Sequence, residues 1–280
     1  MSGRVVALDI GGTFIKSGVF ENGKLGAVMK TPTGAGSLEE IKRSVSEAVE
    51  YHLVGGAEGI AASSAGDFDP YRGVCTFATD NLKGYSGFAL KAWLEEKYGV
   101  RASALNDGHA AMLGEAKSRA LKEAAVMLTL GTGVGGAYFD GGKVVFGEDF
   151  RYGRFGHLVM RDNGKLCGCG QCGCIESYIS ATALTKLCAA AGTAPEKVFY
   201  EERRESRAVV NEWLDALCEA METVFRAQEY DLMIFGGGVC ASAERWLPLL
   251  GAKTERRAEV SKLGNSAGLT GAYLWWCENG

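Results

Sequence analysis

The sequence predicts a mixed α/β protein with a central sheet in each half, built from one unit used twice. Three observations carry this. Apolar strand-like runs alternate with segments whose apolar residues recur at three- and four-residue spacing, so strands and helices are mixed along the whole chain. Three of the strands end in glycine-rich turns, at Gly11-Gly12-Thr13, Gly131-Thr132-Gly133 and Gly236-Gly237-Gly238. The opening string Val6-Ala7-Leu8-Asp9-Ile10-Gly11-Gly12-Thr13 also returns, about 120 residues later, as Val126-Met127-Leu128-Thr129-Leu130-Gly131-Thr132-Gly133.

Taken in order, Arg4-Val5-Val6-Ala7-Leu8-Asp9-Ile10 reads as an apolar strand. A second run to Phe20, the turn Glu21-Asn22-Gly23-Lys24 and a third run to Lys30 follow, and Asn-Gly between two such runs predicts a hairpin. Ser37 with Glu40 three residues on is a capping box, opening a helix to about Leu53. A short strand over 59–63 leads into Ala65-Gly66-Asp67. Residues 88–98 read as a helix and 102–105 as a strand, which Asn106-Asp107 closes before a helix over 110–120. The second half repeats the strand, glycine loop, strand and hairpin, with Asp140-Gly141-Gly142-Lys143 as its turn. Helices are then expected over 180–190 and 207–228, a buried strand over 231–235, and a terminal helix from Ala267-Gly268.

Composition narrows the function classes. The chain has 280 residues, 47% hydrophobic and 23% charged, with a net charge of −4. That suits a soluble globular protein of about two domains and gives no reason to propose nucleic acid or an anionic membrane as partner. No apolar run reaches the ~20 residues of a membrane helix. The chain opens Met1-Ser2-Gly3-Arg4 and goes straight into a strand, so no signal peptide is expected and the location is read as cytoplasmic. Glycine is 40 residues and proline only 4, so the glycines mark sharp turns and close backbone approaches rather than linkers.

The glycine turns point to phosphate. Their backbone N–H groups can converge on an anion, and Thr13 or Thr132 adds an uncharged donor. No Gly-x-x-x-x-Gly-Lys-Ser/Thr string is present. Gly131, Gly133 and Gly136 match Gly-x-Gly-x-x-Gly spacing, but a strand and hairpin follow them instead of a helix. A nucleotide held between two hairpin loops is the remaining option. Asp107, at a strand end and helix mouth, reads either as a cap or as a carboxylate that takes a proton from an attacking hydroxyl. Asp9 could orient Mg²⁺ through water. Asn81 is a turn residue or a partner for a sugar hydroxyl.

Four of the nine cysteines fall in Cys167-Gly168-Cys169-Gly170-Gln171-Cys172-Gly173-Cys174. Clustered thiols in a chain read as cytosolic suggest metal rather than disulfides. With His157 ten residues upstream, the set His157, Cys167, Cys169 and Cys174 is a common closed site for structural zinc. Glu176, two residues on, is either held rigid by that site or a plain surface residue.

With these residues together, the sequence resembles the ROK family (repressors, open reading frames and sugar kinases) of the actin–hexokinase superfamily. Leu8-Asp9-Ile10-Gly11-Gly12-Thr13, Asn81-Leu82-x-Gly84-Tyr85, Leu105-Asn106-Asp107, residues 130–136, Gly156-His157, the cysteine motif through Glu176, and Leu263-Gly264-Asn265-x-Ala267-Gly268 carry the likeness. It implies a duplicated actin-like ATPase (ribonuclease H-like) fold, two α/β domains around a cleft, with 1–107 plus 268–280 as the first and 108–267 as the second. It further implies an ATP-dependent kinase acting on a hexose or N-acetylhexosamine, usually at the 6-hydroxyl, with Asp107 as general base. Asp9, Gly11, Gly12, Thr13, Lys16, Gly131, Thr132, Gly133 and Gly135 would serve the ATP phosphates, and Gly236, Gly237 and Gly238 the adenosine side. Gly66, Asn81, Asn106, Asp107, Arg154, His157 and Glu176 would line the sugar. Zinc would be structural, Mg²⁺ would accompany ATP, and the protein would be a homodimer.

One position departs from the family pattern. Glucokinase-like members carry Glu-x-Gly-His, where this chain has Arg154-Phe155-Gly156-His157. A donor-only guanidinium cannot make the hydrogen bonds of an acceptor carboxylate, so plain glucose is in question. Two other readings stay open: a non-catalytic sugar sensor, and an actin-like ATPase that needs no sugar. Family repressors carry a helix-turn-helix ahead of the first strand, and only a few residues precede it here.

Overall fold

A computed structural model describes residues 3–280, apart from the Asp80 side chain. The first two residues, part of the opening read for a signal peptide, lie outside the described residues. The first stretch of chain comprises β1 (Arg4–Ile10), β2 (Phe14–Glu21), β3 (Lys24–Leu25), β4 (Met29–Pro32), α1 (Leu38–Leu53), β5 (Gly59–Ser64), β6 (Asp67–Asp69) and β7 (Val74–Phe77). Helix α2 (Leu90–Tyr98), β8 (Arg101–Asn106) and α3 (Asp107–Arg119) follow. Next come β9 (Ala125–Leu130), β10 (Val134–Asp140), β11 (Lys143–Val145), α4 (Glu176–Ile179), α5 (Ala181–Ala190) and α6 (Arg204–Ala227). The chain ends with β12 (Leu232–Gly236), α7 (Ala243–Gly251), β13 (Ala258–Val260) and α8 (Ala267–Asn279).

Contacts divide the chain into two compact units. Unit 1 is Met1–Leu121, Phe146–Tyr152 and Asn265–Gly280; unit 2 is Lys122–Val145 and Gly153–Gly264. The expected boundary at 107 would cut α3 from its partner α8. In unit 1 these helices pack so closely that a Cβ at Gly271 would fall 1.7 Å from Ala110 O.

The repeat is visible in the strand orders. Unit 1 orders its sheet β3-β2-β1-β5-β8, with β4 also on β2; unit 2 orders its own β11-β10-β9-β12-β13. In each, the first strand pairs antiparallel with the second and parallel with the strand that follows a helical crossover. Val6, Leu8 and Ile10 face a core shared with Ile41, Val45 and Val49 of α1, while Ala7 faces Leu269 of α8. Helices thus cover both faces of the unit 1 sheet, which is why β1 reads as an apolar run and β5 is buried along its whole length.

Three local expectations need correction. The run to Lys30 is split, because Phe20 pairs with Leu25 but Ser17 with Met29, so one extra residue is bulged out over 26–28. The helix expected from 88 begins at Leu90, since Phe88 O accepts from Cys75 N and Ala89 bridges to Val74. Helix α3 begins at Asp107 rather than 110, because the Asn106 side chain caps it by accepting from His109 N at 3.0 Å. No helix among the described residues is long and apolar enough to cross a membrane.

Candidate active site

Unit 1 gathers a carboxylate pair around the first glycine loop. Asp9 ends β1, where Lys16 Nζ lies 3.2 Å from its Oδ2 and Ser63 Oγ donates to its Oδ1 at 3.0 Å. A Cβ at Gly268 would sit 3.0 Å from Asp9 Cγ, so the first turn of α8 closes directly on this carboxylate. The loop turns tightly, with Gly11 N donating to Phe14 O at 3.0 Å and Thr33 Oγ1 to Gly11 O at 2.7 Å. Among the described residues, the Gly12 and Thr13 N–H groups donate to nothing in the protein. Asn81 lies against this loop, its Cβ 3.3 Å from where a Gly12 Cβ would be.

Sequence reasoning missed Lys30. It stands opposite Lys16 in the β2–β4 pairing, with its Nζ 3.8 Å from the Phe14 ring centroid. Like charges facing each other across a sheet cost stability, and the Asp9 carboxylate offsets only one. Only the register shows the pair, and the bulge sets the register. Ser63 was missed too, as a strand-end serine carries no signal in sequence.

Asp107 is the first helical residue of α3. Its Oδ1 accepts from Gly108 N at 2.8 Å and from Asn106 Nδ2 at 3.0 Å. Asn106 Nδ2 also donates to Gly66 O at 2.8 Å. Gly66 adopts φ +103°, a region other residues avoid, and a Cβ there would meet Phe77 O at 2.9 Å. Asp107 keeps some surface open, yet enough protein surrounds it to disfavour the charged form. Burial first, and the nearby Asp9 charge second, push its pKa up to about 6 against those hydrogen bonds. A carboxylate in that range can hold and release a proton near neutrality.

Unit 2 contains the second glycine loop and the cysteine cluster. Gly131 N donates to Gly133 O at 3.0 Å, Ala181 N to Gly131 O at 2.8 Å, and Thr182 Oγ1 to Thr132 O at 2.7 Å. The Thr132 and Gly133 N–H groups donate to nothing among the described residues. Gly135 lies in β10 opposite Thr129, beyond the turn itself. Gly236 ends β12, and Gly237 turns at φ +89° beneath the Leu130 carbonyl.

The donor atoms of His157, Cys167, Cys169 and Cys174 all lie within 4.8 Å of one another. Cys169 Sγ is 3.6 Å from Cys174 Sγ, and Cys167 Sγ is 3.8 Å from His157 Nδ1. Two thiolates on one tetrahedral zinc stand about 3.8 Å apart, so the spacing and the donor set fit that ion. Cys172 is exposed and outside the cluster. Glu176 joins cluster to loop: Oε2 accepts from Val134 N at 2.8 Å and Oε1 lies 3.6 Å from Cys167 Sγ. Arg154 is exposed, at the start of the turn Phe155–His157.

The ROK family profile matches residues 5–279. The chain belongs to the ROK family. ROK relatives with named activities include the N-acetyl-D-glucosamine kinase of Escherichia coli, 30% identical over 296 residues and covering 94% of this chain and 96% of that protein. The N-acetylmannosamine kinase of Haemophilus influenzae is 27% identical, covering 97% and 95%. Among solved structures, the ROK family glucokinase from Streptomyces griseus in complex with glucose and AMPPNP superimposes with a TM-score of 0.83 at 25% identity, covering 96% of this chain and 98% of that one. The ROK sugar-kinase architecture is the actin-like ATPase fold that the duplicated sheets display.

Proposed function

We propose that this ROK protein transfers the terminal phosphoryl group of ATP to a hydroxyl, expected to be the 6-hydroxyl, of a hexose or N-acetylhexosamine. The enzyme is an ATP-dependent sugar kinase. The observation that carries the mechanism is Asp107, a carboxylate with pKa about 6 whose Oδ1 is held by two donors, leaving Oδ2 for the substrate. Asp107 takes the sugar hydroxyl proton as that oxygen bonds to the terminal phosphorus; the bond to the bridging oxygen breaks, and ADP leaves. Positioning does most of this work, since phosphoryl transfer asks little covalent chemistry of the protein.

The free N–H groups of Gly12, Thr13, Thr132 and Gly133 suit the ATP phosphates, with Lys16 and Lys30 supplying positive charge beside the first loop. Asp9 would hold Mg²⁺ through water, and the metal would neutralise phosphate charge. Gly66, Asn81, Asn106, Arg154, His157 and Glu176 are the residues the family resemblance implies for the sugar. His157 presents Nδ1 to the cysteines, which leaves Nε2 for a sugar hydroxyl. Zinc on His157, Cys167, Cys169 and Cys174 would be structural, fixing that imidazole and Glu176. Arg154 in place of an acceptor favours a sugar that offers a carbonyl, as an N-acetyl group does.

The test is ADP release from MgATP across glucose, mannose, fructose, N-acetylglucosamine and N-acetylmannosamine, with Asp107→Asn as control. Turnover should need a sugar, be fastest with an N-acetyl sugar, and vanish in the variant. Sugar-independent turnover would overturn the kinase reading in favour of an ATPase. Sugar binding without turnover would favour a sensor.

A further inference from the structure

Residues 146–152 pack with unit 1, although the chain on either side of them belongs to unit 2. Polar contacts to His109 and Asp67 are among those that fasten them. Tyr152 O lies 2.8 Å from His109 Nε2, and Arg151 Nε lies 3.1 Å from Asp67 Oδ2. His109 is 3% exposed, and its Nδ1 has no hydrogen-bond partner among the described residues. A carbonyl oxygen can only accept, so Nε2 carries the proton, and burial lowers the pKa and keeps the ring neutral. Phe146 meets that ring edge-on at 4.9 Å and Trp275 at 5.4 Å, while Tyr71 meets Phe150 at 6.0 Å. Phe150 sits at φ +61°, a strained conformation for a bulky residue, which persists only where surrounding contacts over-determine it.

Both fastenings lead to Asp107. His109 stands two residues beyond it in the first turn of α3, with its N–H held by Asn106 Oδ1. Asp67 follows Gly66, whose carbonyl accepts from the same Asn106 Nδ2 that donates to Asp107 Oδ1. We propose that residues 146–152 are a positioning strap for the Asp107 carboxylate, with His109 and Arg151 as its fasteners. The effect on turnover rests on the kinase reading above; the fastening does not. Small misplacements of a reacting group cost large factors in rate, so a loosened strap lowers kcat while leaving nucleotide binding alone.

The experiment pairs proteolysis with kinetics on the full chain. Chymotrypsin cuts after Phe146, Phe150 and Tyr152, and mass spectrometry locates those cuts. His109→Leu removes the donor to Tyr152 and should speed strap cutting at least fivefold. It should lower kcat at least tenfold, with the KM for MgATP within twofold of the original. His109→Gln restores an N–H and should recover both, which a merely structural role does not require. Arg151→Gln, at a side chain 42% exposed, loosens the second fastening without touching the core, and serves if the leucine variant fails to fold. Unchanged cutting in both would overturn the fastening, and faster cutting with unchanged kcat would overturn the positioning role. A matching rise in the KM for MgATP would mark general damage and overturn it as well. If the unaltered protein shows no sugar-dependent turnover, the kinase reading has failed and the positioning role with it, while cutting rates still decide the fastening.

Discussion

Asp107 has a pKa of about 6, against 3.8 for an ordinary aspartate. The fold therefore favours its protonated form, so the stability it contributes is present below the unfolded value and is lost as pH rises through about 6. At pH 8 the ionised carboxylate is a net cost of about 1–3 kcal/mol, since each tenfold change in proton affinity corresponds to ~1.4 kcal/mol. Asp107→Asn keeps the acceptor for Gly108 N and removes the charge, so it should melt higher than the unaltered protein at pH 8. That gap should close by pH 4. The same substitution should cut kcat by about 10²–10⁴, the usual contribution of a positioned base. For the unaltered enzyme, kcat/KM should fall tenfold per pH unit below about pH 6, because only the ionised carboxylate accepts a proton. A flat profile across that range would remove Asp107 from the role. Which oxygen is held, and by what, was not legible in sequence: Asn106-Asp107 announces a cap, but only the fold brings the Gly66 carbonyl to Asn106.

Among the elements, the cysteine knuckle was the most legible, because its donor residues lie close in sequence and short glycine-rich loops bring such residues together almost unaided. It should hold about one zinc per chain by metal analysis. Cys169→Ser should lose that zinc, and Cys172→Ser, at the exposed cysteine outside the cluster, should keep it. Equal retention by both would refute the ligand set. Less legible were α7, which carries Pro248 inside a nine-residue helix, and β13, three residues long. Neither has enough length for its periodicity to stand out. Helix α2 started late for a related reason: 88–89 have helical composition, but pairing with Val74 and Cys75 outweighs local preference.

At the scale of the whole molecule, the repeat predicts that each unit has its own core, and α8 belongs to the first. Leu269, Trp275 and Trp276 of α8 are buried in unit 1, and Leu269 packs with Ala7 and Phe20. Removing residues 265–280 should therefore unfold unit 1 and abolish sugar-dependent turnover, while the zinc content of unit 2 stays near one per chain. A truncated protein that kept its activity would contradict this account of the core.

The sequence by itself determined the α/β class, the doubled strand–loop–hairpin unit, the three glycine turns and the grouping of His157 with Cys167, Cys169 and Cys174. All are encoded by neighbouring residues, through periodicity, turn chemistry or donor spacing. Only the tertiary structure decided that α3 belongs with α8 and that Lys30 stands beside Lys16. It alone decided that Glu176 ties the second glycine loop to the cysteines, and that residues 146–152 reach the helix of Asp107. Each of these joins residues far apart in the chain. Sheet register, helix packing and the capture of backbone carbonyls set them, and local sequence pattern holds no record of those terms.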